Sequence, residues 1–145
     1  MTTGKSYHLL NRQRKHRIDS RGVRHFLSGL VREISRPEAP QAPEASFSVV
    51  FVTDRVMHAY NLRYRRVDKP TDVLSFRGED GYLGDILIST ETAWEQARKS
   101  QTLSFDDNIR RLLLHGVLHL CGYDHETDNG EMRTIERRLR RKFQC

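Results

Sequence analysis

The chain predicts an α+β fold: one domain over residues 1–145, with a small, mostly antiparallel or mixed sheet of about four strands covered by helices, and a metal site on a central helix. Three observations lead there. β-Branched and aromatic runs are interleaved with segments of helical periodicity, neither an internal repeat nor a low-complexity segment interrupts them, and 145 residues suit one core.

Residues 6–11, "SYHLLN", read as a first strand. In "SRGVRHFLSGLVREIS" the apolar positions Val23, Phe26, Leu27, Leu30, Val31 and Ile34 recur at helical spacing, so a basic amphipathic helix docks its stripe on the sheet. "RPEAPQAPEA" holds three prolines in a polar run and ends that helix as a linker between elements. "SFSVVFV" is the second strand, after which Thr53 or Asp54 caps a helix through "RVMHAYNLRY". "DVLSFR" and "YLGDILIST" form two further strands around the turn-prone "GEDG", where Gly78 and Gly81 offer positive φ. Three helices complete the chain: "TETAWEQARKS", "FDDNIRRLLLHGVLHLC" and "ETDNGEMRTIERRLRRKF".

Twenty-five basic against nineteen acidic side chains give a net charge of +6, concentrated in "NRQRKHRIDSRGVRH" and "RRLRRKFQC". That field favours a polyanion, nucleic acid before anionic lipid, although a solvated face carries the same composition. No run approaches the roughly 18 apolar residues of a membrane span, and the start lacks the apolar core of a secretory leader. A cytoplasmic protein is expected. Cys121 and Cys145 are too few for a disulfide scaffold and read as thiols, the terminal one poorly ordered.

The stretch "HGVLHLCGYDH" carries chemistry. Residues four apart on a helix lie about 40° apart, so His115 and His119 project from one face and can reach one metal ion. Gly122 permits a left-handed turn that brings the chain back, so that His125 supplies a third nitrogen. Three protein ligands with an open position suit catalytic zinc, one Zn2+ per chain, which acidifies water to a pKa near 7. Cys121 points roughly 200° around the helix from His119, away from that face. Asp124 could orient a ligand imidazole or simply bond its own turn, Asp72 belongs to a turn before a strand, and a distant acid such as Asp85 remains a possible fourth donor.

The spacing H-x-x-x-H-x-x-G-x-x-H resembles that of metzincin proteases, but Gly116 stands where their glutamate base stands. A glycine inside a helix also signals close approach of something to the backbone. The fuller string "LLLHGVLHLCGYDHETD" is similar to the signature of the YbeY family of metal-dependent endoribonucleases, and "LNLRYRRVDKPTDVLSF" and "LGDILIS" resemble two further motifs of that family, together spanning about residues 60–126. Arg77 replaces the family's proline after "LSF". The resemblance implies His115, His119 and His125 as zinc ligands and Arg65 as the residue facing metal and substrate phosphate. Residue chemistry alone does not choose among Arg63, Arg65 and Arg66. It further implies a zinc-dependent, single-strand-preferring endoribonuclease of ribosomal RNA maturation and ribosome quality control, acting at the small ribosomal subunit in rRNA 3′-end processing. Two alternatives stand beside it: a zinc metalloprotease-like hydrolase, and a non-catalytic ribosome assembly factor with a structural metal.

Overall fold

Four strands pair in the order β1-β2-β4-β3 in a computed structural model that describes residues 6–34 and 46–145. The proline-rich linker lies outside the described residues. β1 (Ser6–Asn11), β2 (Ser46–Val52) and β4 (Tyr82–Ser89) run parallel, and β3 (Val73–Arg77) is antiparallel to β4 at the sheet edge. The sheet is therefore mixed. Parallel neighbours cannot be joined by a tight turn, and α1 (Ser20–Ile34) supplies the crossover between β1 and β2. The remaining helices are α2 (Asp54–Arg65), α3 (Thr90–Lys99), α4 (Phe105–Leu120) and α5 (Glu131–Phe143).

Strand periodicity sorts the core into two layers. Phe47, Val49 and Phe51 of β2 join Ile86 and Ile88 of β4 on one face, beneath the full predicted stripe of α1 and beneath Leu113, Leu114, Val117 and Leu118 of α4. The intervening Val50 and Val52 join Leu74, Leu87 and Met57 in a smaller cluster under α2. Side chains cap the helices as the sequence suggests: Thr53, not Asp54, accepts from the main-chain N–H of Val56 at 3.3 Å.

Three local readings are corrected. In the β3–β4 hairpin, positive φ falls at Asp80 and Gly81 and not at Gly78. α5 begins at Glu131, five residues later than the sequence suggests, because Gly130 takes φ 98° and the Asp128 carboxylate accepts from the N–H groups of Gly130 and Met132 at 2.8 and 2.9 Å. Those bonds hold the Asp128 carboxyl below its ordinary range. Cys145, expected to be loose, is buried, with its carbonyl accepting from Arg111 and its thiol pushed up by burial.

The loop between β1 and α1 is wound around Gln13, which is 6% exposed. Its Oε1 accepts from the N–H groups of Lys15 and His16 at 3.0 and 2.9 Å, while its Nε2 donates to Asn11 Oδ1 and to the His16 carbonyl at 2.9 and 2.7 Å. Arg12, Arg14, Lys15 and Arg17 are turned outward by that clamp.

Gly116 explains itself in the packing of α4 on β4. A Cβ there would come 2.8 Å from Ile86 Cγ2, so the helix backbone sits directly on the strand's side chain. Ser75 Oγ of β3 adds a hydrogen bond to the Gly116 carbonyl at 3.3 Å. Gly116→Ala should therefore lose about 1–2 kcal/mol, overpacking outweighing the gain in helix propensity. A thermal or urea melt of the substituted protein that matches or exceeds wild type would show that α4 is free to lift.

Candidate metal centre

α4 is buried around most of its circumference, and His115 and His119 lie half-buried on the strip that remains. The helix ends as the sequence predicts: Gly122 adopts φ 98°, and the N–H of Tyr123 reaches back to the Leu118 carbonyl at 3.1 Å. Asp124 then makes the turn itself, its Oδ1 accepting from the N–H of Glu126 at 3.0 Å and its carbonyl from those of Thr127 and Asp128. Its carboxylate is thus engaged in the turn. That turn returns His125 to the helix end.

Among the described residues, His115, His119 and His125 form a group whose ligand atoms all lie within 4.8 Å of one another. The rings of His115 and His119 are 4.5 Å apart between centroids, and His125 lies 5.7 and 5.6 Å from them. Nδ1 of His115 is 3.2 Å from Glu136 Oε1, so it donates to the carboxylate and leaves a lone pair on Nε2. That Nε2 faces Nε2 of His119 at 3.0 Å. A proton can bridge two such nitrogens but not three. A metal ion can hold all three, so the donor set fits a divalent cation that accepts imidazole.

Electrostatics favour the neutral imidazoles that a metal ion would need. Burial disfavours the charged form of His119, and the neighbouring His115 and His125 add to it, so its pKa falls below the ordinary value. Burial alone would raise the carboxyl of Glu136, yet its hydrogen bond to His115 and the nearby charge of Arg140 help bring it below the usual carboxylate range. Glu136 is thus an anion at neutral pH that fixes the tautomer of His115. The sequence reading missed it. The available signal was a carboxylate at a position four after Met132 and three before Leu139, on the apolar stripe of an otherwise basic helix.

Arg65 lines the same cavity, of about 660 Å³, as the three histidines, with Thr71, Asp72, Ser75 and Arg77 on the β3 side. Arg63 and Arg66 do not line it. On α2, Arg65 is four and eight residues after Asn61 and Met57, both buried, which turns it toward the sheet side of the helix. Asn61 also fixes the following loop, Nδ2 donating to the Lys69 carbonyl at 2.8 Å. Arg77 donates from Nε to the His119 carbonyl at 3.4 Å, a contact between residues 42 apart that no local pattern announces. Beyond His115 and His125 a second cavity is lined by Arg133, Glu136, Arg137 and Arg140 of α5. Asp85 is elsewhere, hydrogen-bonded to Tyr82, and is not in the histidine group. Cys121 lines a separate cavity with Leu120 and Gly122, outside the group.

Comparison with known proteins converges on one family. The description "Endoribonuclease YbeY" matches residues 8–144. Proteins of that name are 42% identical over 111 residues in Koribacter versatilis, covering 76% of this chain and 72% of the relative, and 37% identical over 132 residues in Syntrophotalea carbinolica, covering 86% and 83%. A solution structure of a Thermotoga maritima protein shares the fold, with a TM-score of 0.63 at 23% identity over 95% of this chain and 91% of that one.

Two outcomes are expected of the centre. Glu136→Ala should weaken metal binding by roughly 10–100-fold while Glu136→Gln, which keeps an acceptor for His115 Nδ1, should lose less. Chelator competition on the folded variants measures both, and equal affinity in all three proteins would remove Glu136 from the site. The second outcome concerns pH. A ligand must be neutral to bind, and the depressed pKa keeps His119 neutral at pH 7; protonation then competes as the medium is acidified through the ordinary histidine range near 6.5 and below. Metal affinity should fall progressively from pH 7.5 to 5 and recover on return, and a flat profile would contradict imidazole ligation.

Proposed function

The chain belongs to the YbeY family of endoribonucleases, and we propose that it is a zinc-dependent enzyme that cuts single-stranded RNA in ribosomal RNA maturation and ribosome quality control in the cytoplasm, working on the small ribosomal subunit, including the rRNA 3′ end. The observation that carries the catalytic part of this reading is the meeting in one cavity of Arg65 and three histidines that lie fifty or more residues further along the chain.

Each residue has a task that follows from its chemistry. His115, His119 and His125 hold the ion, and Glu136 keeps the proton of His115 on Nδ1 so that Nε2 faces inward. A zinc ion so bound would supply a Lewis acid for a phosphoryl oxygen and would acidify water. Arg65 grips the scissile phosphate through a planar fork of donors and stabilises the charge that grows on its oxygens as phosphorus becomes five-coordinate. Arg133, Arg137 and Arg140 line the adjoining cavity, where flanking phosphates of the strand would lie. Peptide hydrolysis is the weaker reading. The position of a metzincin's glutamate base is Gly116, whose backbone is packed against Ile86.

The deciding experiment is metal analysis and single-turnover RNA cleavage on purified protein, with casein digestion alongside. Wild type should bind about one zinc per chain and cut RNA but not casein, and His119→Ala should lose both metal and cleavage while remaining folded. Arg65→Ala should keep the metal and slow cleavage at saturating RNA by roughly a hundredfold or more, a loss expected for one preorganised donor at a transition state. Arg65→Lys should recover little, since a point charge cannot reproduce the fork. Cleavage by Arg65→Ala at the wild-type rate, with Arg63→Ala or Arg66→Ala impaired instead, would transfer the role to another arginine.

A further inference from the structure

α2 carries two tyrosines that the metal centre does not use. Tyr60 and Tyr64, one turn apart, are 40% and 54% exposed, and their rings lie 5.9 Å apart between centroids and only 15° from parallel. Tyr64 meets Phe76 of β3 at 5.1 Å and 64°, and Tyr60 approaches the same ring at 6.1 Å. Phe76 thus fixes both rings from below. The guanidinium of Arg63 lies 5.4 Å from the centre of the Tyr64 ring. Large rings left side by side in water mark a contact surface more often than an isolated exposed side chain does.

The position of this pair supplies the occupant. Side chains alternate across a strand, and the two neighbours of Phe76, Ser75 and Arg77, both line the metal cavity. β3 is the edge strand, so the tyrosines and the metal cavity lie on opposite sides of one strand with nothing paired beyond it among the described residues. Arg65 of the same helix already reaches into that cavity. A chain gripped by Arg65 and continuing past the edge of β3 meets Tyr64 and Tyr60 next. Arg63 beside the Tyr64 ring and the net charge of +6 suit a phosphate backbone and not a second copy of this basic protein.

We propose that Tyr60 and Tyr64 form a base-stacking subsite for unpaired nucleotides beside the scissile bond, with Arg63 meeting a phosphate next to them. The proposal rests on the reading of the metal cavity as an RNA-cutting site. Stacking on an aromatic ring needs an open π-face, which an unpaired base offers and a base inside a duplex does not. The subsite therefore selects single strands without reading sequence.

The test uses the zinc-loaded protein and three fluorescent ligands of equal length: a single-stranded RNA, the same strand with abasic sites, and a duplex. Anisotropy is read before cleavage accumulates. Tyr60→Ala and Tyr64→Ala should each weaken single-strand binding by roughly five- to a hundredfold, and the preference over duplex should shrink with it. The abasic strand, which keeps the phosphates, should bind wild type and variants alike, and Tyr64→Phe should match wild type. Tyr60→Leu and Tyr64→Leu keep Phe76 covered without a ring, and should show the same loss if an alanine variant proves unstable. Wild-type cleavage with unchanged single-strand affinity in the folded variants would overturn the subsite alone, as would an equal loss for the abasic strand. Gel filtration showing that the variants only dissolve a wild-type dimer would make this face a self-contact and overturn it too. Wild type that neither binds nor cuts RNA would overturn the RNA reading and the subsite together.

Discussion

Two imidazoles one turn apart make a metal site only if their helix cannot roll or lift, and the contact that prevents it is the backbone of Gly116 seated on Ile86. A rotation of α4 by one residue's worth of helix, about 100°, would turn both nitrogens away from His125. Packed interiors resist such motion because they are as dense as organic crystals. The same glycine that allows this seating takes the place of a carboxylate that a metalloprotease would need there. Close packing and the choice of chemistry are thus two consequences of one missing side chain.

The site is completed by elements remote in sequence. α5 brings a partly buried carboxylate to His115, and its basic residues continue past the ligands into the second cavity. α2 brings Arg65 from the other side of the edge strand. Three helices from different parts of the chain therefore meet at the C-terminal end of α4, where the His119 carbonyl accepts from the N–H of Gly122 at 3.0 Å and Arg77 adds a second donor. That end carries partial negative charge, which would favour a cation at the histidines of the last two turns.

What the sequence made legible was what a single element determines. The strands, the stripe of α1, the helical pair of histidines and the left-handed Gly122 all depend on periodicity or on a local backbone requirement, and they appear in the structure at the expected residues. Helix α5 began later than expected because Asp128 and Gly130 organise a turn within a stretch whose polarity looks helical. Glu136 and the contact of Arg77 with His119 are not legible in the sequence because they arise only when α5 and β3 come against α4. Arg65 was singled out by its motif, while the physical signal for it, its phase relative to Met57 and Asn61, needs knowledge of which side of α2 is buried.

Gln13 gives the first basic segment a property that its composition does not contain. A loop of arginine and lysine is ordinarily a loose tether whose charges must be collected, at an entropic cost, before they can dock on anything. Here every polar atom of one buried amide is spent on holding the main chain, so the spacing between Arg12, Arg14, Lys15 and Arg17 is settled in advance. The segment behaves less like a brush of cations than like a template with a fixed pitch. Only its side chains are left to be ordered on contact, and that of Lys15 is already tied to Glu91 at 3.1 Å.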